Sequence, residues 1–275
     1  MGPCQVTINP ESGRWYNAKG EVVKVVPSLA KVEAAKGKVV KPTIRHARHY
    51  SLVPSVTSII RQTDKPGLTA WKLTGLLEAA LTLPRIKNEP LETFAGRVID
   101  DAGEQAGKAA DEGKAIHAAV ESYFLTGKLP STEVAFRACT EIDGWLQEHD
   151  YMVKESERGF ANASFGGTPD LLLACGSMDG LADIKTMEFK TKAYKPYPEN
   201  GWQLGGYGIG LGHLPSVEQA YNIGIDRRSG ECRFYQWPEE AHRENYEAFR
   251  VLLHLWQLRN HWSPKSYALT EQGEQ

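Results

Sequence analysis

Closely spaced cysteines are missing from this chain. Its four, Cys4, Cys139, Cys175 and Cys232, include no C-x-x-C pair. That argues against a zinc site or an iron–sulfur cluster built from neighbouring thiolates. So few cysteines in 275 residues imply reduced thiols in a cytoplasmic protein rather than a disulfide framework. No apolar run approaches the ~20 residues of a membrane span. The N-terminus lacks the charged-then-apolar pattern of a secretory signal, so no membrane contact is expected. Internal repeats and long low-complexity stretches are also absent. Neither sign of charge dominates: the net charge is −2, and composition alone does not announce a nucleic-acid binder.

What is present is ordinary globular material, 41% hydrophobic and 24% charged, in a chain long enough for a large domain and a sizeable core. Positive charge is local. Residues 24–48 carry Lys24, Lys31, Lys36, Lys38, Lys41, Arg45 and Arg48 against Glu33. Such a run is either a surface that follows a nucleic-acid strand or a solvated, partly disordered arm.

Residues 1–50 read as short strands and turns. Ser55 is placed to cap a helix from Val56. Helical patterning covers Trp71–Leu81, then 90–126 with Gly127 past its end, then a segment capped by Ser131 and running to Glu148. The period then changes. Three strands are predicted over Tyr151–Phe160, Gly167–Ala174 and Gly180–Met187. A glycine-bearing helix follows over Pro198–Leu211, then strands over Val217–Ile225 and Glu231–Trp237. An amphipathic helix over Glu239–Asn260 comes last. This order predicts an α/β fold, a central mixed β-sheet flanked by helices, with residues 1–50 as an N-terminal extension of a domain spanning 51–275.

Two strands carry acidic residues among apolar ones: Gly167-Thr168-Pro169-Asp170-Leu171-Leu172-Leu173 and Gly180-Leu181-Ala182-Asp183-Ile184-Lys185-Thr186. A carboxylate in an apolar strand is costly unless it is paired or holds a cation. Two carboxylates on adjacent strands repel, and a divalent ion relieves that repulsion. Asp183 and Lys185 are two apart and share a strand face, so the ammonium would sit beside the ion. Ile184 points into the core, with its carbonyl free to face the cation. The competing reading makes Asp170 a turn residue and Asp183–Lys185 an edge-strand ion pair. The three residues together favour the cation site.

On the long helix, His117 and Glu121 lie on one face beside the apolar stripe of Ile116, Val120, Tyr123 and Phe124. His117 there is either a metal ligand or an ordinary surface histidine, and the two carboxylates elsewhere favour the ligand. Gln203 and Tyr207, also four apart, could hydrogen-bond a phosphate or hold a carboxylate in place. They could equally be polar residues at the edge of a packed helix. Lys190, Lys192 and Lys195, interleaved with Tyr194 and Tyr197, resemble a strand-contacting loop in which cations hold phosphates and rings stack on bases.

Pro169-Asp170 followed by Asp183-x-Lys185 resembles the PD-(D/E)XK nuclease superfamily. With Gly113-x-x-x-His117-x-x-x-Glu121 upstream and Gln203-x-x-x-Tyr207 downstream, the chain is similar to the RecB-like branch. That branch includes phage, mitochondrial and CRISPR-adaptation exonucleases. Residues 54–60 with Asp64-Lys65-Pro66 and Trp71 are similar to the N-terminal part of its phage and mitochondrial members. The resemblance spans about residues 52–236. It departs from the CRISPR-adaptation members in lacking cysteines spaced for a cluster.

The resemblance implies a restriction-endonuclease-like core. It also implies Mg²⁺ or Mn²⁺ held by His117, Asp170, Asp183 and the Ile184 carbonyl, with Lys185 positioning or activating water. Glu121, Gln203 and Tyr207 would act behind the ligands or on DNA. The implied activity is a phage-type DNA exonuclease acting on single strands or duplex ends, beside recombination or replication proteins. An endonuclease of the same fold and a catalytically silent DNA-binding or recombination partner are the alternatives. Oligomeric state is not legible in these residues.

Overall fold

A computed structural model describes residues 13–29, 37–176, 178–212 and 217–263. Lys31, Glu33 and Lys36 of the basic stretch, and Cys4, lie outside the described residues. The first elements are the short strands β1 (Trp15–Tyr16), β2 (Val22–Val23), β3 (Val26–Pro27) and β4 (Val39–Val40). The helix α1 (Ile44–Tyr50) follows, then β5 (Val53–Pro54) and α2 (Val56–Ile60). The helix α1 corrects the expectation of only strands and turns before residue 50. The Thr43 amide donates to His46 Nδ1 (3.3 Å), a local cap that starts the helix where hydrophobic periodicity gives no signal. Ser55 caps α2 as expected, accepting from the Ser58 amide at 3.0 Å.

Next come α3 (Pro66–Thr82), α4 (Leu91–Thr126) and α5 (Glu133–Glu148). Gly127 closes α4 in the left-handed region at φ 71°, as its position implied. The cap of α5 is Thr132, which accepts from Ala135 N, one residue later than the expected Ser131.

The central sheet has five strands in the order β12-β11-β10-β9-β6: β6 (Met152–Ser156), β9 (Leu171–Cys175), β10 (Met178–Met187), β11 (Val217–Asp226) and β12 (Cys232–Gln236). β6, β9 and β10 pair antiparallel. β10 and β11 pair parallel, joined by the crossover helix α6 (Pro198–Leu211). A hairpin adds β12, and α7 (Glu239–Arg259) ends the described fold. The fold is therefore the expected mixed sheet flanked by helices. The predicted strand Tyr151–Phe160 is divided. β6 stops at Ser156, Glu157 turns left-handed (φ 52°), and Phe160 belongs to β7 (Phe160–Ala161), which pairs with β8 (Gly166–Gly167).

Strand alternation sorts the core into two layers. Leu171, Leu173, Ala182, Ile184 and Ile223 pack with Ile116 and Val120 of α4 and Ala138 and Ile142 of α5. Leu172, Leu181 and Ala220 face the opposite layer, with Val56 and Ile59 of α2, Leu204 of α6 and Phe249 of α7. Trp15 joins that second layer against Trp256 and Trp262 (ring centroids 6.2 and 5.9 Å). β10 is the middle strand of the sheet, so Asp183 and Lys185 are not an edge-strand pair. Among the described residues no helix is long and apolar enough to cross a membrane.

Candidate metal and catalytic centre

Asp170 ends the turn that enters β9, and Asp183 lies within β10. The register Ala182↔Leu171 brings the two side by side. Both are buried, Asp183 to 1% exposure. The Ile184 amide donates to Asp170 Oδ2 (2.5 Å), which fixes that carboxylate one residue from Asp183. The Asp170 carbonyl in turn accepts from the Glu157 amide (3.0 Å) and Ser156 Oγ (3.2 Å).

Asp183 is surrounded by donors from three directions. Lys185 Nζ lies 2.5 Å from its Oδ2, the same-face neighbour that a period of two requires. From α6, Gln203 Nε2 donates to its Oδ1 (2.8 Å) and to Tyr207 Oη (2.7 Å). Gln203 Oε1 accepts from Lys185 Nζ (3.2 Å), so the amide's orientation is fully specified. From β11, Asn222 Nδ2 reaches Asp183 Oδ2 (3.2 Å), and its own Oδ1 accepts from Trp237 Nε1 (2.8 Å).

On the sheet's other layer, α4 is brought against β10 where Gly113 meets Thr186. A Cβ on Gly113 would lie 2.5 Å from Thr186 Oγ1. One turn further on, His117 Nε2 lies 3.2 Å from Asp170 Oδ1. Glu121 and Glu157 complete this corner: one ligand-type atom from each of His117, Glu121 and Glu157 falls within 4.8 Å of the others. Together with Asp170 and Ile184 they line a small recess.

The electrostatics follow from crowding several charges out of water. The hydrogen bond and charge of Asp170 raise His117 from 6.5 to about 9, against its burial. Burial, with the charges of Asp170 and Glu121, pushes Glu157 up to about 8. Burial raises Asp183 to about 6 although Lys185 opposes it. Burial works upward on Asp170 too, but the bond and charge of His117, then Lys185 and the Ile184 amide, hold it below the usual carboxylate range. Burial alone would lower Lys185. The carboxylates of Asp183 and Asp170 outweigh it, and the ammonium is stabilised.

This donor set fits a hard divalent cation: an imidazole nitrogen and carboxylate oxygens converge, and the burial that pushes Glu157 up, with the neighbouring carboxylates adding to it, is a cost that an adjacent cation would offset.

No family model matches the chain, and no curated protein does. Solved structures resemble it distantly. A candidate exonuclease of Eubacterium rectale aligns with 58% of this chain and 72% of its own at 12% identity, with a TM-score of 0.37. LHK-Exo, an alkaline exonuclease of Laribacter hongkongensis, covers 54% of this chain and 81% of its own at 20% identity, TM-score 0.32. Its complex with dAMP covers 68% and 88% at 17% identity, TM-score 0.30. At such scores the likeness carries no weight for the chemistry, which rests on the side chains.

The structure thus brings Asp170, Asp183, Lys185, His117, Gln203 and Tyr207 together, with Ile184 and Glu121 beside them. It leaves Lys190, Lys192 and Lys195 exposed on the segment after β10. Tyr194 is not free to stack on a ligand as that pattern supposed, because its ring packs on Phe189 (5.9 Å) and over Gly224. Of the basic stretch, Arg48 turns to the end of α7, donating to the Asn260 carbonyl (2.5 Å). Sequence reasoning missed Glu157 and Asn222. Glu157 sits in the charged run Lys154-Glu155-Ser156-Glu157-Arg158, where nothing singles it out. Asn222, fully buried within Ala220-Tyr221-Asn222-Ile223, did carry a signal: a lone amide in an apolar strand.

Proposed function

We propose that this chain is a metal-dependent DNA nuclease of the PD-(D/E)XK type, specifically a phage-type exonuclease of the RecB-like branch. It would serve recombination, repair or replication in the cytoplasm. The observation that carries the reading is the pairing of two buried carboxylates at mid-sheet, each with its own cationic partner: His117 on Asp170 at 3.2 Å and Lys185 on Asp183 at 2.5 Å. A core built for stability alone gains little from burying two carboxylates beside half-buried cationic partners.

Asp170, Asp183, His117 and the Ile184 carbonyl would hold Mg²⁺ or Mn²⁺, with Glu157 and Glu121, whose carboxylate oxygens converge with His117, as further ligands. The ion would supply Lewis-acid polarisation of the phosphoryl oxygens. Lys185, tethered by Gln203, orients the attacking water and offsets charge growing on the phosphate. Gln203, Tyr207 and Asn222 keep Asp183 in one orientation, so no reorganisation is needed as the reaction proceeds. Asp183 and Glu157 favour the ionised form once a cation is adjacent.

A time course on end-labelled linear DNA, beside a circular control and with and without EDTA, tests this. The expected result is digestion of linear DNA, an intact circle and complete inhibition by EDTA. Cleavage of the circle would make the chain an endonuclease instead. Asp183→Asn should abolish cleavage, and Lys185→Ala should lower kcat by about 10²–10⁴-fold. Wild-type rates from either variant would remove the assignment.

A further inference from the structure

A cleft of about 540 Å³ lies beside the carboxylate centre, between α3, α4 and the ends of β10 and β11. It shares no lining residue with the small recess at His117. It nevertheless begins close by. Glu188 on its wall is three residues beyond Lys185, about 10 Å at strand rise. Glu112 on the other wall is five residues before His117, about 7.5 Å at helical rise. Anything polymeric with one bond at the carboxylates has its neighbouring units within reach of this cleft.

Its chemistry is that of a strand of nucleotides. Five cationic side chains line it against three carboxylates, in a chain whose total charge is −2. Arg227 takes up two of those carboxylates, Glu112 at 2.6 Å and Glu188 at 3.0 Å, which braces the floor. Lys72 and Lys190 form no ion pair among the described residues and remain available to phosphate. Trp71 opens into the same cleft and is 43% exposed, a costly placement for an indole with nothing to cover it. The volume lies within the range of small-ligand sites, about 300–1,000 Å³: room for a nucleotide or two of single strand and too little for a duplex.

We infer that this cleft is a single-stranded DNA subsite, in which a base stacks on Trp71 while Lys190 and Lys72 hold the flanking phosphates. This rests on the nuclease reading but is tested apart from it. The full chain is titrated in EDTA, where nothing is cut, against a dye-labelled oligothymidylate of about ten nucleotides, followed by anisotropy and tryptophan quenching. Trp71→Ala should weaken binding by about 5- to 100-fold, the range for loss of one base–aromatic stack, and should remove most of the quenching. Trp71→Phe should restore most of the affinity. Lys190→Ala should weaken binding and make the salt slope shallower by about 0.7, one phosphate contact to a single strand. Parent-like binding by both Trp71→Ala and Lys190→Ala, or no binding by the parent, overturns the subsite. A protein that binds in this Trp71-dependent way yet cuts no DNA with Mg²⁺ or Mn²⁺ would keep the subsite and lose the nuclease. Cleavage with Trp71-independent binding would do the reverse.

Discussion

Lys185 and Glu157 reach the centre by different physical routes. Lys185 arrives by strand periodicity, two residues from Asp183 on the same face. Glu157 arrives because its backbone leaves the strand: it sits at φ 52°, with its amide bonded to the Asp170 carbonyl, and so turns toward His117 and Glu121. If Glu157 is a ligand, Glu157→Gln should weaken Mn²⁺ binding by about 10- to 100-fold, read by calorimetry or Mn²⁺ spin resonance without DNA. Unchanged affinity would place Glu157 outside the ligand set. The contrast explains what could be read beforehand. Asp170 and Asp183 stand out as carboxylates in apolar strands, while Lys185, His117, Glu121, Gln203 and Tyr207 follow from spacings of two and four, which regular elements convert directly into shared faces. Glu157 depends on a turn, and a turn made of charged residues carries no periodic mark. Asn222 depends on which strand neighbours β10, a tertiary fact, although its burial could have been suspected.

Among the elements, α6 packs five glycines into 14 residues, a composition that disfavours a helix, yet it runs over the expected residues. Those glycines serve close packing. A Cβ at Gly205 would meet the Asn245 carbonyl oxygen of α7 at 2.7 Å, and backbone cannot move aside as a flexible side chain can. Gly205→Ala should therefore destabilise the protein by about 1–3 kcal/mol, and by displacing α6 it should also loosen Gln203 from Asp183. Gly107, on an exposed turn of α4, has nothing within 4 Å of its missing Cβ, and Gly107→Ala should stabilise by about 0.5–1 kcal/mol. Chemical denaturation of the two variants distinguishes these cases. A Gly205→Ala protein as stable as the parent would mean that α6 and α7 are not in the close contact described. The long periodic elements were legible because amphipathic spacing is redundant over many residues. α1, β7 and β8 were not, since two to seven residues hold too little pattern to outweigh local capping and turn geometry.

For the whole molecule, the clustered charges link stability to pH and to metal. In the metal-free protein His117 is raised from 6.5 to about 9, so its favourable contribution is complete below about pH 6.5 and is lost as pH climbs through 9. Glu157 (4.5 to about 8) and Asp183 (3.8 to about 6) are acids whose protonated forms the fold prefers, so each costs stability as pH rises between its two values. All three bind more protons folded than unfolded, and all three act in one direction. Asp170, lowered from 3.8, has the opposite sign, but its contribution is lost only in more acid solution. Lys185, raised from 10.5, acts only in more alkaline solution. The metal-free protein should therefore melt several degrees lower at pH 9 than at pH 6, and His117→Ala should flatten the upper part of that fall. A divalent cation needs the same groups deprotonated, so Mg²⁺ or Mn²⁺ should bind more tightly at pH 9 and raise the melting temperature more there than at pH 6. An equal metal-induced rise at both pH values would show that the ion, if it binds, does not displace protons from this cluster.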